Sequence, residues 1–168
     1  MIRHPHPPEI KLLPQIENEA DLRYRRVGLG RVVDMPPASL ASLEAGRREG
    51  RLWVAVSPLG RPIGFALMKF PGSAAWLDQL SVLTRWQGYG FGSALIEQVA
   101  TAARSLGHRT LHLSTYRDVS WNAPYYSRRS FVEMPRGDWP HIFRMQAMEE
   151  NQHGHPPWRR TIMRRSLD

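Results

Sequence analysis

The run Gln87-Gly88-Tyr89-Gly90-Phe91-Gly92 constrains this chain more than any other stretch. It lies between an apolar run, Leu77 to Leu83, that reads as a strand, and a segment from Phe91 to Leu106 with apolar residues at 91, 95, 99, 102, 103 and 106. That second spacing is a helical stripe. Glycines at alternate positions let bare backbone approach a ligand closely. A strand, a glycine turn and a helix N-terminus together present unpaired N–H groups and the positive end of the helix dipole to one point. The expected guest is a phosphate or pyrophosphate.

Three phosphate-binding patterns compete for this loop. A Walker A loop ends in Gly-Lys-Ser/Thr, and the chain contains no Gly-Lys pair. A dinucleotide fingerprint needs Gly-x-Gly-x-x-Gly with an acidic residue about twenty positions on. Gly88 and Gly90 fit it, but Ser93 replaces the third glycine and residues 108–110 hold no carboxylate. The pattern Gln/Arg-x-x-Gly-x-Gly/Ala is met by Gln87, Gly90 and Gly92.

That third pattern resembles the acyl-CoA pyrophosphate loop of the GCN5-related N-acetyltransferase (GNAT) superfamily. A second stretch, Trp121-Asn122-Ala123-Pro124-Tyr125-Tyr126-Ser127-Arg128-Arg129-Ser130-Phe131, is similar to that superfamily's Asn-containing helix ending in Tyr-x-x-x-Gly-Phe. Tyr126 takes the tyrosine position and Phe131 the phenylalanine. Ser130 departs from the pattern, standing where a glycine would end the helix in a left-handed conformation. The resemblance covers residues 50 to 135 most strongly.

Composition bounds the rest. The 168 residues suit one domain, 1–168, with residues 1–9, rich in Pro and His, as a flexible lead-in. No apolar run reaches the ~18 residues of a membrane span, and the N-terminus lacks a signal-peptide core. With no cysteine there is no disulfide, thiolate metal site or cysteine nucleophile. A cytoplasmic protein without a membrane partner is the expectation. The net charge of +8 is almost entirely arginine, since only Lys11 and Lys69 are lysines. Arginine recognises phosphate through its planar fork. The arginines are scattered, so nucleic acid is the least supported partner.

The expected elements run in order: a first strand over 10–16, a charged helix over 17–27, and a helix capped by Ser39 and closed by Gly50. Strands at 52–56 and 62–70 form a hairpin, followed by the strand to Leu83, the glycine loop and the long helix ended by Gly107. A strand at 110–115, the Tyr126 helix and a strand from Phe131 come next. A helix over 140–150 and a strand over 159–165 complete the chain. This order predicts a mixed α/β fold. The resemblance implies the GNAT acyl-CoA N-acyltransferase fold: a central mixed, mostly antiparallel sheet of about seven strands flanked by helices.

The resemblance also implies the chemistry: an N-acetyltransferase moving an acetyl group from acetyl-CoA to a primary amine by direct attack in a ternary complex. Amides of Gln87, Gly88, Tyr89, Gly90, Phe91, Gly92 and Ser93 would hold the pyrophosphate. Val82 and Leu83 would pair with the pantetheine arm like an added strand, the Val82 amide facing the thioester oxygen. Tyr126, whose phenol ordinarily titrates near about 10, is the candidate general acid toward sulfur; packing is its bland alternative. Asn122 would either bond the cofactor arm or cap the short helix. Asp78 is the candidate base, or else a surface ion-pair partner, and His112 is a lesser option. His153 and His155 form a His-x-His pair; no metal is expected. The acceptor, a small amine or a protein amine, stays open, as does a homodimer. A non-catalytic acyl-CoA-binding module and a basic nucleic-acid binder are the rival readings.

Overall fold

The computed structural model describes all residues, Met1–Asp168, as seven strands and six α-helices with short 3-10 turns. The order is β1 (Ile2–Arg3), α1 (Leu13–Asp21), α2 (Gly30–Val33), α3 (Leu40–Arg48), β2 (Leu52–Val56), β3 (Pro62–Lys69), β4 (Ala75–Val82), α4 (Phe91–Ser105), β5 (Thr110–Tyr116), α5 (Ala123–Ser127), β6 (Val132–Glu133), α6 (His141–Gln152) and β7 (Arg160–Ser166). The strands form one sheet in the order β1-β2-β3-β4-β5-β7-β6. β1, β2 and β3 pair antiparallel in sequence, as do β5 with β7 and β7 with β6. β4 and β5 are parallel, in a register covering Ala75↔Leu111 and Trp76↔His112.

The chain divides into two compact units. The first is Met1–Lys69 with Leu77–Ala102, and the second is Phe70–Trp76 with Ala103–Asp168. In the first, Ile10, Leu13, Ile16, Leu43, Leu52, Val54, Val56, Phe65 and Leu67 form the core. β2 is buried at every position and β3 from Ile63 to Met68, so both faces of the hairpin are covered. This is why their sequences are continuous apolar runs rather than alternating ones. In the second unit, Trp76, Met134, Trp139, Phe143 and Ile162 pack together.

Two expectations at the N-terminus are corrected. Residues 10–16 are not a strand: Pro7–Leu12 is a 3-10 turn and α1 begins at Leu13, with Pro14 in its first turn. Proline there costs no hydrogen bond, because the first helical N–H groups have no intrahelical acceptor. The lead-in expected to be flexible instead carries β1, paired to β2 through Ile2↔Ala55 and Arg3↔Val54 and pinned by the Arg3–Glu9 ion pair at 2.8 Å. The expected 17–27 helix is the second half of α1 followed by a 3-10 turn, Leu22–Val27, that ends on Gly28.

The other punctuation is where the residues place it. Ser39 Oγ accepts from the Ser42 N–H at 3.1 Å, capping α3. Gly107, at φ +87, ends α4: its N–H donates to Arg104 O, and the next N–H, of His108, reaches back to Ala103 O. Those two bonds are a Schellman motif.

Candidate functional site

The glycine loop follows β4 and opens α4, and the loop itself lies within the first unit. Gly88 and Gly90 sit at φ +82 and +86. A Cβ at either would meet nothing within 4 Å, so glycine is needed there for backbone conformation rather than for room. The N–H groups of Gly88, Tyr89, Gly90, Phe91 and Gly92 have no protein acceptor. The first intrahelical bond is Ala94 N–H to Gly90 O at 3.0 Å. Tyr89 is 73% exposed. Beneath the loop, Trp86 meets Tyr89 and Phe91 edge-on at 6.2 and 5.9 Å.

Gln87 has a different part from the one expected. Its N–H donates to Thr84 O at 3.2 Å, closing a 3-10 turn, so it offers no amide to a ligand. Its side chain is a brace: Nε2 donates to Val82 O at 2.8 Å, and Oε1 accepts from Arg23 Nη1 at 3.0 Å. α1 holds the same segment a second time, through Glu19 Oε1, which accepts from the Thr84 N–H at 3.0 Å. The loop is therefore set by helix α1 as well as by β4. Glu19 and Arg23 carry no local signal of that duty, because their partners lie more than sixty residues away in sequence.

Leu83 likewise turns its N–H to the protein. Its N–H donates to Ile63 O at 2.9 Å and its carbonyl accepts from the Trp86 N–H at 2.8 Å, so it has no donor left for a cofactor. Backbone groups alternate edges along a strand. With the Leu83 N–H directed at β3, the Val82 N–H points to the opposite edge. β3 comes close here because residue 64 is glycine: a Cβ would stand 2.7 Å from Ser81 O and 3.0 Å from Val82 Cγ2.

Asp78 lies on β4 with its Oδ1 2.6 Å from Lys69 Nζ, both side chains one-third exposed. Near it α1 carries a carboxyl that the sequence reading missed. Glu17 is 8% exposed, and its Oε2 accepts from the Ala38 N–H at 2.9 Å. Burial pushes the Glu17 carboxyl up to about 7; the Ala38 bond opposes this, and the Asp21 and Asp78 carboxylates reinforce it. Burial likewise raises Asp21, one turn on, to about 6 against the pull of Arg23. The i, i+4 spacing of Glu17 and Asp21 was the available signal.

In the second unit, α5 carries Tyr126. Its ring meets Tyr125 and Phe131 edge-on at 5.4 and 5.7 Å. Arg129 lies over Tyr125, 3.5 Å from the ring centroid, and donates to Tyr125 O. Ser130 takes the glycine conformation without being glycine, at φ 67. Its N–H donates to Ser127 O and the Phe131 N–H to Tyr126 O, both at 3.2 Å, another Schellman motif. The family turn is therefore kept, at the cost of a strained serine. Asn122 is buried and forms no side-chain cap to α5. Its Oδ1 instead accepts from Thr115 Oγ1 at 2.7 Å and the Tyr116 N–H at 3.2 Å, fixing the start of α5 to the end of β5.

His112 is packed between Trp76, stacked at 6.1 Å, and Phe143, edge-on at 4.8 Å, with its ring bonded to Ala75 O. Burial holds its pKa below the usual value. It is a half-buried packing side chain. Nor do the two histidines of the His-x-His pair point together: His153 bonds Glu149 O and His155 bonds the Tyr116 hydroxyl. No helix is long and apolar enough to cross a membrane.

The chain matches the Acetyltransferase (GNAT) family over residues 20–131. It is similar in fold to N-acetylglutamate synthase from Neisseria gonorrhoeae complexed with coenzyme A and N-acetyl-glutamate, at a TM-score of 0.70 and 19% identity. That match covers 100% of this chain but only 35% of the synthase chain. The PaiA N-acetyltransferase from Thermoplasma acidophilum in complex with coenzyme A matches at a TM-score of 0.66 and 15% identity, over 99% of this chain and 98% of its own. The ribosomal-protein-S18-alanine N-acetyltransferase from Escherichia coli matches at 0.67 and 18%, over 100% and 94%. With the glycine loop, the Tyr126 helix and the sheet order all in place, the chain belongs to the GNAT acetyltransferase family.

Proposed function

We propose that the protein transfers an acetyl group from acetyl-CoA to a primary amine within a ternary complex. The observation that carries this reading is the row of five N–H groups, Gly88 to Gly92, with no protein acceptor at the mouth of a fifteen-residue helix. Five donors without a protein acceptor beside the positive end of a helix fit the several oxygens of a diphosphate. The coenzyme A bound in the synthase and PaiA structures is consistent with that fit.

Acetyl-CoA, when bound, supplies an activated thioester. The residues of this chain supply position and protons. The loop amides hold the diphosphate, with Ser93 at the helix start beside them. The Val82 N–H, on the β4 edge away from β3, donates to the carbonyl oxygen as negative charge develops on it. Tyr126 donates a proton toward the departing sulfur. Asn122 positions Tyr126 by anchoring α5 and also bonds the cofactor arm. Asp78 receives the amine's proton through water once Lys69 releases it. The acceptor is a small amine or a protein amine.

Asp78 locked to Lys69 favours a second reading, a non-catalytic acyl-CoA-binding module of the same fold. Free-thiol release from acetyl-CoA over a broad amine panel separates the two. Turnover with at least one amine, cut by about 10²–10³ in Tyr126→Phe with coenzyme A affinity nearly unchanged, is the expected result. No thiol release with any amine supports the binding module, and a fully active Tyr126→Phe enzyme removes the phenol from the acid role.

A further inference from the structure

The second unit holds a cavity of about 30 Å³ that the acyl-transfer reading does not use. Ser114, Arg136, Trp139, Glu150, His155 and Arg160 are among its walls. Arg160 is its central cation. As the cross-strand partner of Tyr116, it lies over the phenol ring, 4.7 Å from the centroid. Its Nη2 donates to Ser114 Oγ at 3.0 Å and stands 3.3 Å from Glu150 Oε2. Its Nε is buried and has no hydrogen-bond partner. A buried guanidinium N–H left empty costs free energy unless something fills it.

The charges around the cavity do not cancel. Glu150 is already satisfied: Oε2 accepts from Ser114 Oγ at 2.7 Å and pairs with Arg160, and Oε1 accepts from Gln146. The second arginine, Arg136, is committed through Nη2 to Pro157 O and has no carboxylate partner. His155 is neutral at pH 7, its pKa lowered to about 4 by burial first and by Arg160 second, and it bonds the Tyr116 hydroxyl. One positive charge is left over, facing a wall that also presents the Trp139 ring and Ala147. Room of this size admits about two water-sized groups, which matches the two oxygens of a carboxylate.

We propose that this cavity is a seat for the carboxylate end of a small organic acid, received by Arg136 and the Arg160 guanidinium with its aliphatic stem against Trp139. A planar carboxylate fits a guanidinium edge in a way that a spherical anion does not. The seat is independent of the acyl-transfer reading.

The test is a ¹H–¹⁵N titration of the full chain with propionate, observing the Arg160 Nε–H resonance in the wild type and the Trp139 indole N–H resonance in the wild type and both variants. Propionamide and sodium chloride at equal ionic strength are the controls. The expected result is a saturable shift with propionate alone, weakened roughly tenfold in Arg136→Gln and abolished in Arg160→Lys. If Arg160→Lys fails to fold, the wild-type and Arg136→Gln titrations decide. No saturable shift, or the same shift with propionamide or chloride, overturns the seat and leaves coenzyme A binding untouched.

Discussion

Ser130 is the residue at which this chain departs from its family's pattern, and the structure shows the consequence. An L-residue at φ 67 is disfavoured, because its Cβ crowds the following carbonyl. Ser130→Gly removes that strain while adding some entropy to the unfolded chain. The expected outcome is a gain of about 0.5–1 kcal/mol, read as a rise of roughly 1–4 °C in Tm. Calorimetric melting checks it; an unchanged or lower Tm would show that the serine side chain repays its conformation. Tyr126, Asn122 and the loop glycines stand out in the sequence as candidates because short local spacings carry them. The N–H groups of Gln87 and Leu83 are taken up by Thr84 O and Ile63 O, which the motif could not foretell, since it marks a position without saying which of its donors the protein itself uses. Glu17, Glu19 and Arg23 were not legible as site residues, because each acts on a partner distant in sequence.

At the scale of elements, β4 is the pivot: it leads into the glycine loop and carries Asp78 and Val82. Its close approach to β3 depends on Gly64. In Gly64→Ala the new Cβ would stand 2.7 Å from the Ser81 carbonyl oxygen, a backbone atom that cannot swing aside. Overpacking of this kind typically costs about 1–3 kcal/mol. The displaced end of β4 should also weaken coenzyme A binding, because it moves the Val82 N–H and the anchor of Gln87. Unfolding in denaturant together with cofactor titration tests both; a variant with wild-type stability would show that β3 and β4 separate freely. The elements from α3 to β7 were legible from periodicity and turn residues. The first sixteen residues were not. Four prolines and a run of mixed polarity suggest breaks, whereas here Pro14 sits in the one helical turn that tolerates it, and β1 gains its order from β2 rather than from its own two residues.

At the scale of the whole molecule, stability should respond to pH through buried groups on opposite sides of the balance. Glu17, raised to about 7 in the folded state, and Asp21, raised to about 6, bind protons more tightly folded than unfolded. Their contribution is complete below the unfolded carboxyl range and is lost as pH rises through their folded values. His155, lowered to about 4, acts in the other direction, and stability is lost as pH falls from its unfolded value toward 4. The two effects overlap and partly mask each other. Glu17→Gln separates them: it keeps an acceptor for the Ala38 N–H and removes the buried charge. It should match the wild type near pH 5 and exceed it near pH 8 by on the order of 2–3 kcal/mol at most. Equal stabilities at pH 8 would mean that Glu17 is better solvated than its burial indicates.

Acyl transfer here requires that the open amides from Gly88 to Gly92 grip a diphosphate. Isothermal titration of the full chain with coenzyme A tests this without an acceptor, a base or a catalytic step. Saturable heat at one site per chain, weakened in Gly90→Ala through the strain at φ +86, is the predicted result. A flat titration, or undiminished binding in that variant, would contradict it.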